Sequence, residues 1–95
     1  RKHLDQPELL TQLAEEAAEL GKAALKLRRV YTGTNPTPVT GKDAFENLLE
    51  ELADVYVCIT ALGLDTSLNL SQVQRIMLVK RERWASRLQA AHPKE

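Results

Sequence analysis

Between Tyr31 and Lys42 the chain reads YTGTNPTPVTGK, and this stretch divides it. Gly33, Pro36, Pro38 and Gly41 crowd together there. Proline removes a backbone donor and glycine frees φ, so neither continues a regular element. On both sides apolar side chains recur every three or four positions, the period of an α-helix. The sequence therefore predicts helices joined by one clear loop, residues 31–42.

Before the loop the apolar series is Leu9, Leu13, Ala17, Leu20, Ala24 and Leu27, which predicts a helix to about Val30. Asp5 can cap it, Pro7 suits a first turn, and Glu8 completes an Asp-x-x-Glu capping box. After the loop Thr40 and Asp43 form a similar pair. Phe45, Leu48, Leu49, Leu52, Val55, Ile59 and Leu62 follow, and Gly63 suits the end. The β-branched run VYVCIT would suit a strand, but the helical period continues through it. LDTSLNL reads as a connector with room for a short turn around Ser67. Ser71 and Gln74 then predict a capping box opening a third helix with Val73, Ile76, Met77, Trp84 and Leu88, ending before Pro93.

The expected fold is all-α, with three to four helices in a single domain over 1–95: an antiparallel helical hairpin plus a C-terminal helix. A chain of 95 residues buries a small share of its surface. Closure of a four-helix-type bundle by oligomerisation, as a homodimer or homotetramer, is the expected remedy.

The 43% apolar and 27% charged fractions are those of a globular protein. Thirteen basic and thirteen acidic residues cancel, which removes the global field that grips a nucleic-acid backbone. The single cysteine, Cys58, rules out an internal disulfide and a Cys-rich zinc site. No run is apolar enough to span a bilayer and no signal peptide is evident, so no membrane partner and a cytoplasmic location are expected. The chain begins at Arg1, so residues upstream can be missing.

The acidic residues are not scattered. Glu16 and Glu19 stand three apart on the first helix, and Glu51 and Asp54 repeat that spacing on the second. Residues three apart on a helix are neighbours and can share one cation. A single Glu-x-x-Glu is most simply a solvated face. Here, however, Glu16 lies nearly in line with Leu9, Leu20, Ala23 and Leu27, and Glu51 with Ala44, Val55, Cys58 and Leu62. A carboxylate at a core-facing edge is costly unless it is paired or metal-bound. Four carboxylates face to face raise one another's pKa, which a hard divalent cation relieves. Oxygen-only ligation selects Mg²⁺, with Mn²⁺ possible, over zinc. Mg²⁺ characteristically completes its shell with water and substrate phosphate, which points to phosphate-ester or anhydride chemistry.

The runs EEAAE (15–19) and ENLLEELADV (46–55) resemble the Glu-x-x-Glu … Glu-x-x-Asp signature of the MazG-like all-α nucleoside triphosphate pyrophosphohydrolases. The resemblance covers both long helices and arguably the third. It implies Glu16, Glu19, Glu51 and Asp54 as Mg²⁺ ligands. It implies a hydrolase that splits (d)NTPs between the α- and β-phosphates into nucleoside monophosphate and pyrophosphate. It also implies homo-oligomers with pockets lined by more than one subunit. Glu15 or Glu50, just outside the ligand pairs, would orient the attacking water. The long 31–42 loop departs from the most compact members and leaves the subfamily open. Phosphoribosyl-ATP pyrophosphohydrolase of histidine biosynthesis is one alternative. A non-catalytic helical interaction module is another.

Further residues carry two readings each. Gln12 and Asn47 precede Glu16 and Glu51 by one turn; each suits a base, sugar or metal-bound water, or simply the core border. Lys80, Arg83 and Arg87 line one side of the third helix, where they can hold phosphates or be solvated. Trp84 can stack on a base, but its line with Val73 and Met77 favours a core or subunit-interface role. Tyr56 reads as core and Cys58 as a small buried residue. His3 and His92 are isolated. Without a Ser–His–Asp or Cys–His pattern or a Gly-rich phosphate loop, nucleophilic catalysis and P-loop chemistry are not expected.

Overall fold

The computed structural model describes residues 5–33 and 39–91. Asn35, Pro36 and Pro38 of the loop lie outside the described residues, as do His3, His92 and Pro93. Three α-helices account for most of the rest, and among the described residues there is no strand. They are α1 (Gln6–Thr32), α2 (Gly41–Ala61) and α3 (Ser67–Ala91).

The start of α1 is set by side-chain hydrogen bonds. Asp5 accepts from the Glu8 backbone N–H at 3.0 Å, and Glu8 accepts in return from Asp5 N–H at 3.5 Å. The box satisfies two of the donors that a helix N-terminus leaves open. The helix runs two residues beyond Val30 and ends on Gly33. That residue's φ of 66° is left-handed and its N–H donates to Arg29 O at 2.8 Å. A side chain there would meet the left-handed penalty, which glycine escapes. Thr40 caps α2 by accepting from Asp43 N–H at 3.0 Å. The whole VYVCIT run is helical.

Residues 5–62 form one compact unit, in which α1 packs on α2. The pairing is antiparallel. Val30 and Tyr31 lie against Gly41, where an added Cβ would stand 3.8 and 3.5 Å from their side chains, and farther along Glu16 comes near Glu51 and Asp54. The buried residues are few and, apart from Leu27, small: Ala23 and Leu27 from α1, Ala44 and Cys58 from α2. Small side chains let two helices approach closely but bury little apolar area.

Tyr56 is not core; it is 59% exposed. Helical geometry supplies the reason. At roughly 100° per residue, Ala44, Glu51, Val55 and Cys58 share the side turned to α1. Phe45, Leu49, Leu52, Tyr56 and Ile59 lie roughly a quarter-turn or more away. One partner helix cannot cover both sides, and Phe45, Leu49 and Tyr56 stay exposed.

Residues 63–91 belong to a second unit. Gly63 follows the last turn of α2 with φ 71°. The third helix opens at Ser67, four residues before the expected Ser71–Gln74 box. Thr66 supplies the cap: its hydroxyl accepts from Asn69 N–H at 3.4 Å, and Leu70 N–H reaches Thr66 O at 2.7 Å. The Asn69 amide also donates to Gly63 O at 2.9 Å. The turn expected around Ser67 is thus the first turn of α3. No residue of α3 is buried, and Leu68, Ile76, Leu78, Trp84 and Leu88 are all more than half exposed. Trp84 is thus exposed within its own unit.

Among the described residues no helix is long and apolar enough to cross a membrane.

Candidate metal centre

The antiparallel pairing brings the middle of α1 against the middle of α2. Glu16 sits on the side of α1 that carries Ala23 and Leu27, and Glu51 on the side of α2 that carries Ala44 and Cys58. Both are half-buried for that reason. Asp54, one turn on from Glu51, is exposed at the flank. One carboxylate oxygen from each of Glu16, Glu51 and Asp54 lies within 4.8 Å of the others.

Glu19 stands apart from this trio. Its Oε2 takes an ion pair from Lys22 Nζ at 3.3 Å in an exposed setting. It remains close enough to act on Glu51. The Glu51 carboxyl is held above the usual glutamate range, first by partial burial, then by Asp54, Glu19, Glu16 and Glu50 in that order. Five causes act in one direction, and among the described residues no cation pairs with Glu51 to oppose them. The Cys58 thiol is also pushed up, by burial first and then by Glu16 and Asp54.

The donor set suits a hard divalent ion. Every donor is a carboxylate oxygen, and the charge is concentrated enough to shift a pKa without a counter-charge. Neighbouring ligands of one Mg²⁺ stand roughly 3 Å apart at bond lengths of about 2.1 Å, so the three side chains, with oxygens within 4.8 Å of one another, would rotate inward to hold one ion.

Gln12 is committed to Glu16. Its Nε2 donates to Glu16 Oε2 at 2.6 Å, a short contact that fixes how Glu16 turns. Such outer contacts orient metal ligands. Asn47 is half-buried and lines a cleft of about 410 Å³ with Glu19 and Glu51. Glu15 and Glu50 are exposed beside the trio.

The α3 candidates are described within their own unit. Lys80, Arg83, Arg87 and Trp84 are all exposed, and together they border one shallow groove on that helix. Lys80 and Arg83 also border a second, with Arg75 and Ile76.

Three cations of α1 that the sequence did not single out, Lys22, Lys26 and Arg29, line the same cleft as Glu19, Asn47 and Glu51. The signal was present, since positions 22, 26 and 29 continue at helical spacing from the acidic pair. It was hidden because basic residues on a helix flank are ordinarily just solvated.

Compared with protein-family models, curated proteins and solved structures, the chain matches none.

Proposed function

We propose that this protein is a Mg²⁺-dependent nucleotide pyrophosphohydrolase of the MazG-like type, cleaving (d)NTPs between the α- and β-phosphates. One observation carries the reading: Glu16, from one helix, and Glu51 and Asp54, from its antiparallel partner, converge within 4.8 Å at the edge of the helix interface. Carboxylates gathered there without a counter-cation cost free energy, and a divalent ion converts that cost into a binding site.

Glu16, Glu51 and Asp54 would hold the ion, with Glu19 as a fourth donor once it releases Lys22. Bound Mg²⁺ supplies neutralisation of phosphate oxygens and polarisation of phosphorus. Gln12 would hold the Glu16 carboxylate in place beside Glu51 and Asp54. Glu15 or Glu50 accepts a hydrogen bond from the attacking water and sets its direction. Asn47, which lines the cleft with Glu51, would donate to a sugar or base. Lys80, Arg83, Arg87 and Trp84 are the α3 candidates for phosphate and base. The physiological task would be the removal of excess or abnormal (d)NTPs.

The apolar side chains exposed on α2, and on α3 within its own unit, are consistent with a homodimer or homotetramer as the working form.

The test is a panel of dNTPs, NTPs and phosphoribosyl-ATP at millimolar Mg²⁺, followed by pyrophosphate release. Turnover of (d)NTPs to monophosphate supports the reading. Turnover of phosphoribosyl-ATP alone assigns the same chemistry to histidine biosynthesis. No turnover of any of them leaves the interaction module as the function.

A further inference from the structure

We propose that the flank of α1 bearing Lys26 and Arg29, with Lys22, binds the distal phosphates of the nucleotide and holds the pyrophosphate that leaves. This rests on the pyrophosphohydrolase reading and places its leaving group. The cleft of about 410 Å³ changes charge along its length. Its α1 lining runs from Glu19 through Lys22 and Lys26 to Arg29, and α2 contributes Asn47 and Glu51.

The charges are unevenly satisfied. Lys22 is paired with Glu19 at 3.3 Å. Among the described residues Lys26 and Arg29 form no ion pair, although both are half-buried. A half-buried cation facing an open cleft favours an anion there. The anion must also tolerate the carboxylates next door. A phosphate chain does so when a divalent ion bridges it to them, because one end meets the ion and the other meets the cations. A lone carboxylate ligand has no second charged group to reach from the acidic end to the basic end. From Lys22 to Arg29 the helix rises by roughly 10 Å, and flexible side chains over that length can meet successive phosphates. The cleft thus orients the nucleotide: the reacting phosphate at Glu51, and the distal phosphates toward Arg29.

The test uses the full chain and inorganic pyrophosphate as probe. Pyrophosphate binding in the presence of Mg²⁺ is measured by calorimetry, alongside KM, kcat and product inhibition for a dNTP. Lys26→Gln and Arg29→Gln are each expected to weaken pyrophosphate binding and inhibition by about tenfold or more. Mn²⁺ affinity without pyrophosphate should stay within about twofold. Lys26→Arg should restore most of the loss, and Lys42→Gln, which removes an exposed cation elsewhere on the hairpin, should change nothing. Melting curves show that each variant is folded. If wild type turns nucleotides over while both Gln variants keep pyrophosphate affinity within twofold, the phosphate assignment falls and the enzyme reading stands. If wild type binds pyrophosphate through these residues yet hydrolyses nothing, the cleft assignment stands as a polyphosphate site and the enzyme reading falls. If wild type neither binds nor hydrolyses, both fall.

Discussion

The Gln12 side-chain amide donates to Glu16 Oε2 at 2.6 Å across one turn of α1. The acceptor is a carboxylate, so the bond is charge-assisted. It restrains a carboxylate that has an oxygen within 4.8 Å of Glu51 and Asp54. Removing such an orienting contact characteristically costs about 10–100-fold in metal affinity. Gln12→Leu should therefore weaken Mn²⁺ binding by about tenfold while changing stability by no more than about 1 kcal/mol. Calorimetric titration with Mn²⁺ checks this, and unchanged affinity would reduce Gln12 to a border residue.

Glu51 makes the metal-free hairpin sensitive to pH. Its carboxyl is held above the ordinary glutamate value of 4.5, by partial burial first and by the neighbouring carboxylates next. Between that value and its raised one, the folded state holds a proton that the unfolded state has lost. Stability must then fall as pH rises through that window. Below the window Glu51 contributes nothing, because it is protonated in both states. The melting temperature of metal-free wild type should drop relative to Glu51→Gln as pH is raised from about 4 toward neutrality. Parallel curves for the two proteins would show that the surrounding carboxylates do not act on Glu51.

Metal should reverse that penalty. A ligand that binds only the folded state stabilises by about 2.7 kcal/mol at a hundredfold excess over its Kd. Melting temperature should climb with Mg²⁺ in wild type and stay flat in Glu51→Gln and Asp54→Asn. A wild-type melting temperature indifferent to Mg²⁺ would favour the interaction module.

The second side of α2 bears on assembly. Phe45 is 46% exposed, Leu49 48% and Tyr56 59%, and they lie on one helix face. Contiguous apolar surface of this kind marks an interface. Sedimentation should show a dimer or tetramer, and Leu49→Glu should shift it toward smaller species. A wild-type monomer at tens of micromolar would contradict the oligomer reading.

Cys58 offers a simple probe of the hairpin interface. It is buried, and its thiol is pushed up by burial, then by Glu16 and Asp54. The reactive form is the thiolate, so labelling in the folded protein should be slow at neutral pH and fast after denaturation. Rapid labelling of the native protein would mean that α1 and α2 part readily.

Much of this was legible beforehand because it is local. Apolar period, capping residues and the Gly/Pro loop are short-range signals, and they place α1 and α2 to within a few residues. The opening of α3 was misplaced because Ser71–Gln74 has the letters of a capping box, while Thr66 reaches the backbone first. Tyr56 was misread because an apolar stripe does not say how many partners cover it. The carboxylate pairs were visible as spacing, but which oxygens converge depends on register between helices. Register put Glu16 with Glu51 and Asp54, and left Glu19 with Lys22. The cations facing the cleft could not be singled out from α1 alone, because the cleft needs Asn47 and Glu51 from α2.

The most direct measurement is Mn²⁺ binding followed by the electron paramagnetic resonance of the free aquo ion. Wild type should quench that signal with a stoichiometry of at least one ion per chain, more tightly when a dNTP is present, and Glu51→Gln should leave it unquenched. A free-ion signal that wild type leaves unchanged, with and without nucleotide, would contradict the metal centre on which the account rests.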